Sequence, residues 1–331
     1  MTAEGERMRA AIYSAYGGPE QLSVIQVPDP LPKDNEVLIK VHAVSLNDWD
    51  WQLLQGIPLV NRLFNGIRRP KRKILGSDVA GTIEQVGAAV TRFKPGDQVY
   101  GDLSNRWGGF AEYVCAPETA LARKPAEMSF VDAAALPQAG MLAVQGLIDY
   151  GGSYLQPGHR ILINGAGGGV GTIGIQILRQ YGIEISGVDC AEKLDMLAEL
   201  GYHHVIDYSR EDFTQSARQY DLILDTKTNR PLKEYARALS PKGMYVTVGG
   251  DSKIAQVLLL GPLYGVFVKR KFRLVMLKVN KDLEYLNRLY TEGKLHPVIH
   301  GPFELEEIRR VFEIFAEGQH KGKLVVEVSA Q

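Results

Sequence analysis

A glycine-rich turn between an apolar run and a helical pattern restricts most strongly what this chain can fold into. Residues 161–163 have the composition of a short buried strand, and glycines follow at 165, 167, 168, 169 and 171. Apolar residues then continue at the spacing of a buried helix face. A dinucleotide's pyrophosphate is held in this order of strand, turn and helix, because glycines let the backbone approach the phosphates. An ordinary strand–helix turn is the alternative.

The spacing of the turn and a later acid strengthen the dinucleotide interpretation. The turn reads Ala166-x-Gly168-x-x-Gly171, with alanine in place of the first glycine of the usual fingerprint. Asp189 lies 18 residues past Gly171, near where an acid binds the adenosine ribose in NAD-binding folds. A helix cap or a solvated loop aspartate is the alternative for Asp189. The candidate cofactor-binding residues of this region are Ala166, Gly167, Gly168, Gly169, Val170, Gly171 and Asp189.

Composition and charge exclude several classes of protein. The 331 residues can form two domains, and 45% apolar with 23% charged residues is typical of a globular protein. Lys+Arg and Asp+Glu both number 38, so we expect no nucleic-acid or membrane partner. Cys115 and Cys190 form no C-x-x-C pair, which suits a reducing compartment. The N-terminus has no signal-like apolar core, and the apolar run at 254–268 is too short to span a bilayer. We therefore expect a cytoplasmic protein.

The pattern along the chain predicts two kinds of domain. Residues 8–125 are mostly β, with alternating runs at 37–44 and 81–87, which indicates a small barrel-like domain. Strands and helices then alternate, which predicts a doubly wound parallel sheet. The terminal strand, 324–328, is expected to return to the first domain. The predicted elements of the alternating part are strands at 161–163, 183–188, 205–206, 222–224, 245–248 and 272–277, and helices at 170–181, 192–200, 211–218 and 231–239.

Several segments resemble those of one enzyme superfamily. They lie at 74–81, 93–99, 109–114, 133–137, 204–208 and 321–323. With the glycine turn, they make the chain similar, almost end to end, to the zinc-independent, quinone-oxidoreductase-like branch of the medium-chain dehydrogenase/reductase superfamily. The resemblance implies an α/β protein with a GroES-like β-barrel catalytic domain at 1–128, completed by 285–331. It also implies a doubly wound, parallel-sheet Rossmann domain at 129–284, NAD(P)H in the cleft and a homodimer.

The zinc ligands of similar alcohol dehydrogenases have no counterpart in this chain. Those enzymes place a Cys near position 47, a Gly-His-Glu at 76–78 and a later Cys near the start of the Rossmann domain. This chain has Asn47, Ser77 and Gln138 in those regions. A catalytic zinc site needs three suitable ligands and an open position. We therefore expect no zinc.

Without zinc, the resemblance implies hydride transfer from the nicotinamide to an enone or a quinone. The developing enolate oxygen then needs hydrogen-bond donors and a proton. Asn47 and Asp50 match an Asn-x-x-Asp segment of this branch and are the candidate catalytic residues, with a loop cap as the alternative. Gln52 stands where a tyrosine is frequent, so the proton donor is unassigned. The alternatives are a dinucleotide-binding regulatory or structural protein with little turnover, and an alcohol or aldehyde dehydrogenase.

The residues after the second Rossmann strand bear on the choice of cofactor. Similar proteins often have a Ser-Thr-Lys/Arg cluster there for a 2′-phosphate, whereas this chain has Asp189 and Glu192, which favours NADH. Lys193 is a cofactor candidate, although on a helix its side chain is expected to point elsewhere. Lys323 is a candidate partner for a phosphate. The remaining cofactor candidates, which lie on family segments or near predicted strand ends, are Tyr208, Asp225, Gly249 and Gly250.

Two basic clusters and the apolar run allow more than one interpretation. The clusters at 68–73 and 269–273 are expected to form solvated surface, and recruitment of an anionic substrate or nucleic acid is the alternative. The run at 254–268 could line an apolar substrate pocket or cover a dimer edge.

Overall fold

The computed structural model describes residues 6–250 and 253–328. Its strands are β1 (Arg7–Tyr13), β2 (Leu22–Pro28), β3 (Glu36–Ser45), β4 (Asp78–Val86), β5 (Gln98–Asp102), β6 (Tyr113–Pro117), β7 (Ala122–Arg123), β8 (Arg160–Asn164), β9 (Glu184–Asp189), β10 (His204–Asp207), β11 (Tyr220–Asp225), β12 (Leu239–Thr247), β13 (Lys271–Leu274), β14 (Ile299–Glu304) and β15 (Lys323–Glu327). Its α-helices are α1 (Asp48–Gln55), α2 (Val60–Asn65), α3 (Phe130–Ala135), α4 (Pro137–Val144), α5 (Gly169–Leu178), α6 (Leu194–Glu199), α7 (Leu232–Ala238), α8 (Ile254–Val268), α9 (Leu283–Thr291) and α10 (Ile308–Ala316).

These elements form two compact units. The first extends to Gln138 and includes Val279–Thr291 and the described chain from Ile299, and the second comprises Ala139–Lys278 and Glu292–Val298. Relative to the predicted domain bounds, the first unit also takes in residues 129–138 and 279–284, and the second unit takes in residues 292–298. Packing accounts for the difference, because α3 lies against β3 and β4. The hydroxyl of Tyr100 also donates to the carbonyl oxygen of Leu283 at 3.1 Å.

The first unit is organised around the long strand β3. Its main sheet runs β14-β15-β3-β4-β5-β7, and β6 also pairs with β3. Apolar side chains of β3 and β4 form the core together with Val311 and Phe312 of α10. β15 pairs antiparallel with β3, with Val326 opposite Val44. This pairing confirms that the terminal strand returns to the first domain.

The second unit contains a parallel sheet wound outward from β8. Among the described residues its order is β10-β9-β8-β11-β12-β13, with every neighbouring pair parallel. This is the order of a doubly wound dinucleotide-binding fold, in which ligands bind at the carboxyl ends of the central strands. The chain order reverses direction between β8 and β11, which places the switch point beside the glycine turn. The predicted fold class is confirmed.

The helix predicted at 211–218 is wrong, because these residues form turns. Asp212 Oδ1 accepts hydrogen bonds from the amide and the hydroxyl of Thr214, at 2.9 and 2.8 Å. Its other oxygen accepts from Arg230 at 3.0 Å. Such local side-chain bonds compete with the helical hydrogen-bond ladder.

Candidate cofactor and substrate site

The glycine turn joins the carboxyl end of β8 to α5 and is tied to β9. The amides of Gly165 and Ala166 both donate to the carbonyl oxygen of Val188 at 3.0 Å. Gly168 is the N-cap of α5 and provides no side-chain oxygen to cap the helix. The first-turn amides of an uncapped helix, together with the positive end of its dipole, favour an external anion. The turn therefore fits a pyrophosphate.

Space around the turn differs sharply from one glycine to the next. A Cβ on Gly171 would lie 2.3 Å from the carbonyl oxygen of Ala166, and a Cβ on Gly167 would lie 2.5 Å from Lys193 Cδ. A Cβ on Gly168 would meet nothing closer than 3.7 Å. Gly171 is thus required for close packing of the turn on its helix, whereas a Cβ on Gly168 would make only an ordinary van der Waals contact.

Asp189 ends β9 and is part of the same turn structure. Its Oδ2 accepts from the Gly167 amide at 2.7 Å, and its Oδ1 accepts from the Cys190 amide at 2.9 Å. Lys193 Nζ lies 3.4 Å from Asp189 Oδ1, and both side chains are buried. The expectation that Lys193 points elsewhere is wrong, because residues 191–193 form a 3₁₀ turn that directs the ammonium back to β9. Lys193 therefore offsets the negative charge of Asp189.

Asp225 organises the carboxyl ends of three neighbouring strands. The fully buried carboxylate accepts from the side chain of Asn164 on β8 at 2.8 Å and from the hydroxyl of Tyr245 on β12 at 2.8 Å. The amides of Lys227 and Thr228 donate to it at 2.7 and 3.2 Å. These bonds assign Asp225 a positioning role, and its contact with a cofactor stays a prediction.

The other cofactor candidates of the second unit also lie near strand ends. Gly249 and Gly250 have left-handed φ angles of +150° and +112°, and a Cβ on Gly250 would lie 2.3 Å from the Lys227 carbonyl oxygen. Tyr208 follows β10, is 57% exposed, and donates its amide to the Asp189 carbonyl oxygen at 3.2 Å. Their contacts with a cofactor stay predictions.

In the first unit, Asn47 and Asp50 begin α1 as a capping pair. Asp50 Oδ2 accepts from the backbone N–H of Asn47 at 3.0 Å, and Asp50 Oδ1 accepts from the backbone N–H of Gly76 at 2.9 Å. Asp50 is fully buried, and Asn47 is 5% exposed. The pair ties the start of α1 to the loop before β4. This geometry gives Asp50 the cap role that was the alternative, and the catalytic assignments stay predictions.

Lys323, the first residue of β15, joins the same group. Its Nζ donates to the Leu46 carbonyl oxygen at 2.9 Å and to Asn47 Oδ1 at 2.5 Å, and lies 3.7 Å from Asp78 Oδ2. Because Oδ1 of Asn47 accepts from this ammonium, its side-chain nitrogen Nδ2 is the other polar atom, and it donates to Ser77 Oγ at 3.1 Å. The contacts of Lys323 lie within the first unit and give no support to its predicted role as a phosphate partner, which stays a prediction.

The polar cluster, defined here as Asn47, Asp50, Asp78, Asp102 and Lys323, carries more acids than cations. Asp78 and Asp102 face each other across β4 and β5, an arrangement in which like charges are destabilising. Burial raises the pKa of Asp50 to about 7, against the opposing effect of the Gly76 and Asn47 amides. Burial also raises the pKa of Asp78 and Asp102 and lowers that of Lys323. The Lys323 ammonium is the balancing charge.

Sequence reasoning missed Asp78 and Asp102 as members of the cluster. Each is an acid at the end of a strand, where aspartate is uncommon. The presence of an aspartate in a strand indicates a buried acidic pair only once it is known that β4 and β5 place Asp78 opposite Asp102.

The positions that hold zinc in similar alcohol dehydrogenases do not fit zinc here. The side chain of Asn47 is hydrogen-bonded to the ammonium of Lys323 and to Ser77, and the backbone N–H of Gln138 donates to Asp78 Oδ2 at 3.1 Å. A cation already lies at the centre of this group, and none of the three positions offers a soft ligand. Within 6–250 and 253–328, no group of three or more His, Cys, Asp or Glu residues could hold a metal ion.

Comparison with known proteins agrees with this architecture. Residues 33–126 match the family described as alcohol dehydrogenase GroES-like domain, and residues 200–326 match the one described as zinc-binding dehydrogenase. The chain is 32% identical to the chloroplastic quinone-oxidoreductase QR1 of Triphysaria versicolor, over 98% of this chain and 99% of that protein. It is also 32% identical to the chloroplastic NADPH-dependent alkenal/one oxidoreductase of Arabidopsis thaliana, over 97% of this chain and 80% of that protein.

A solved structure extends the similarity to three dimensions. The quinone oxidoreductase from Coxiella burnetii superimposes with a TM-score of 0.87 at 30% identity, over 98% of this chain and 100% of that one. Both the sequence identity and the shared fold thus extend over nearly the whole chain. The chain belongs to the quinone-oxidoreductase-like branch of the medium-chain dehydrogenase/reductase superfamily.

Proposed function

We propose that this chain is an NAD(P)H-dependent oxidoreductase that reduces an enone or a quinone without a metal. The glycine turn at the carboxyl end of β8, which begins α5 without a side-chain cap, is the observation that carries the proposal, because it fits the pyrophosphate of a dinucleotide. A bound nicotinamide supplies the hydride. The substrate class is supported by similar proteins named quinone-oxidoreductase and alkenal/one oxidoreductase, which match this chain nearly end to end.

Asn47 is the residue of the first unit that we propose as the contact for the substrate or the nicotinamide carboxamide. Lys323 occupies its Oδ1, and Ser77 accepts one of the two hydrogens on its side-chain nitrogen, so the second hydrogen is the one proposed to donate. A fixed donor at the developing enolate oxygen stabilises the negative charge that forms there. Asp50 acts through the backbone of Asn47 and is a positioning residue.

NADH is the proposed preferred cofactor. Asp189 ends β9 and Glu192 lies three residues later, where they oppose a 2′-phosphate electrostatically. Lys193 weakens this preference because its ammonium lies 3.4 Å from Asp189. Steady-state kinetics with both cofactors test the proposal, and kcat/KM higher with NADPH by about tenfold or more, equivalent to ~1.4 kcal/mol, would reverse it.

The proposal also includes the homodimer that the family resemblance implies and the cytoplasmic location that the composition favours. The protein is expected to act on small molecules in the cytoplasm as a homodimer, without a nucleic-acid partner. Sedimentation velocity measures the dimer directly, and a protein that sediments as a monomer at assay concentrations contradicts that part of the proposal.

Oxidation of NADH and NADPH in the presence of quinones, enones and aldehydes tests the function as a whole. Turnover with quinones or enones supports it. Cofactor binding without turnover supports the regulatory alternative, which Gln52 at the usual tyrosine position keeps open. Turnover restricted to aldehydes supports the dehydrogenase alternative, and stoichiometric zinc in the active protein contradicts a metal-free reaction.

A further inference from the structure

The loop that follows β11, residues 226–228, lies at the switch point of the parallel sheet. β8 and β11 are neighbouring strands, and the chain continues from β8 into the glycine turn and from β11 into this loop. Ligands of doubly wound sheets bind in the crevice at this point, outside the carboxyl ends of the strands. The loop therefore forms one wall of the crevice, and the glycine turn forms the other.

Side chains of this loop lie directly against Gly165, where the glycine turn begins. Gly165 has a left-handed φ of +83°, and a Cβ there would lie 2.0 Å from Thr226 Oγ1 and 3.1 Å from Lys227 Cε. The amide and the hydroxyl of Thr226 both donate to the Asn164 carbonyl oxygen at 3.1 Å. The end of the Lys227 side chain thus lies beside the backbone that fits a pyrophosphate, with its ammonium one bond beyond Cε.

The backbone of Lys227 is fixed from both sides. Its amide donates to Asp225 Oδ1 at 2.7 Å, and a Cβ on Gly250 would lie 2.3 Å from its carbonyl oxygen. The next residue, Thr228, is fully buried and donates its hydroxyl to the Gly249 carbonyl oxygen at 2.5 Å. Because the backbone is already ordered, binding of an anion by this lysine orders only its side chain, which lowers the entropy cost.

Lys193 and Lys227 both lie against the turn, but their surroundings differ. A Cβ on Gly167 would lie 2.5 Å from Lys193 Cδ, and the ammonium of this buried lysine lies 3.4 Å from Asp189 Oδ1. Lys227, at the β8 end of the turn, is exposed. An ammonium there adds a full positive charge to the uncapped amides of α5, and its hydrogen bonds to a phosphate are stronger than neutral ones.

We propose that Lys227 binds the pyrophosphate of the nicotinamide cofactor from the β11 side of the crevice. This assignment rests on the proposed function, because it takes the glycine turn to be the cofactor site. NADH and NADPH share the pyrophosphate and differ only in the 2′-phosphate, so Lys227 acts on both alike. Sequence reasoning missed this lysine, since its contact with Gly165 depends on the pairing of β8 with β11.

Equilibrium titration of the full chain without an acceptor tests the proposal through binding alone. Fluorescence gives the Kd for NADH and for NADPH, and calorimetry gives it for ADP-ribose, which keeps the pyrophosphate but lacks the nicotinamide. In Lys227→Gln we expect all three Kd values to rise by a similar factor, about fivefold or more, because each ligand loses the same charged partner. Added salt should weaken NADH binding less in this variant than in the wild type, since one charge pair is gone.

Matched variants separate an effect at the crevice from a general effect of charge. Lys227→Arg keeps a cation with phosphate-binding donors and should bind NADH within about twofold of the wild type. Lys233→Gln removes the same charge from the exposed side of α7 and should leave all three Kd values unchanged. Lys227→Gln should also leave the ratio of the Kd values for NADPH and NADH unchanged. Thermal unfolding checks that each variant retains the fold.

Three results would overturn the proposal. The first is wild-type Kd values in Lys227→Gln, and the second is a rise confined to NADPH, which would place Lys227 at the 2′-phosphate. The third is a rise for NADH without one for ADP-ribose, which would place it at the nicotinamide. A wild-type protein that binds none of the three ligands would contradict the proposed function as well, whereas normal binding and turnover in Lys227→Gln would overturn the Lys227 assignment alone.

Discussion

The cofactor turn of the second unit and the polar cluster of the first unit are built from different groups. The turn uses consecutive backbone at 165–171, where glycines allow close approach. The cluster uses side chains from α1, β4, β5 and β15, and one of its bonds joins residues 276 positions apart. A site built from backbone is therefore sensitive to added volume, whereas a site built from buried charges is sensitive to their balance.

Removal of the Lys323 ammonium, the balancing charge of the polar cluster, should cause the largest loss of stability. Lys323→Met keeps much of the side-chain length but leaves the buried Asp78 carboxylate and Asn47 Oδ1 without the ammonium. We expect the free energy of unfolding to fall by about 3–5 kcal/mol, as is typical when one partner of a buried pair is lost. Denaturant unfolding measures the change. Lys321→Met, two residues away and exposed, is the control and should stay within about 0.5 kcal/mol. A Lys323→Met protein as stable as the control would contradict the balancing role.

An added methyl group at Gly171 in the glycine turn should cause the next largest loss of stability. Gly171→Ala would place a Cβ 2.3 Å from the Ala166 carbonyl oxygen, so the turn must shift. We expect a loss of about 1–3 kcal/mol in stability and a rise in the Kd for NADH of about tenfold or more. Thermal unfolding and fluorescence titration with NADH measure the two effects. Gly168→Ala adds the same methyl group where the nearest atom is 3.7 Å away and is the structural control. If both variants unfold alike, close packing at Gly171 is not required.

The same contrast explains how much the sequence predicts. The strand, turn and helix around residues 165–171 follow from local chemistry, and so does the alternation that makes the parallel sheet. Asp78 and Lys323 come together only because β15 pairs with β3 and β3 pairs with β4. No short stretch of sequence contains that information. The sequence predicts the orientation of Lys193 incorrectly for a local reason, since a 3₁₀ turn replaces the expected helix at that point.

A variant at Asp50 that cannot titrate tests how far the stability of the polar cluster depends on its protonation. Burial raises the pKa of this carboxyl to about 7 from an ordinary value of 3.8, so the folded protein holds the proton more tightly than the unfolded chain. The stabilisation that this provides is complete below the unfolded pKa and is lost as pH rises through the folded pKa. Asp50→Asn removes this pH dependence. It also leaves one acceptor oxygen for two backbone amides, at an expected cost of about 1–3 kcal/mol.

Unfolding free energies of the wild type and of Asp50→Asn, measured from about pH 4 to above pH 7, test whether this stabilisation falls or rises with pH. The advantage of the wild type over Asp50→Asn should be greatest near pH 4 and should shrink as the pH approaches and passes 7. Asp48→Asn is the control, since Asp48 lies on the exposed side of α1. An advantage that grows with pH would mean that the ionised carboxylate is the form the fold prefers.

The smallest effect is expected from a change of charge at the turn, and it concerns the preference for NADH over NADPH. Lys193 is the cation beside Asp189, and Lys193→Gln removes it without a large change in volume. Asp189 would then oppose a 2′-phosphate more strongly, and the ratio of kcat/KM for NADPH to that for NADH should fall by about fivefold, equivalent to ~1 kcal/mol. Lys233→Gln, on the exposed side of α7, should leave the ratio unchanged. A ratio unchanged in Lys193→Gln would limit Lys193 to holding Asp189 in place, and the turn would then select its cofactor through backbone geometry alone.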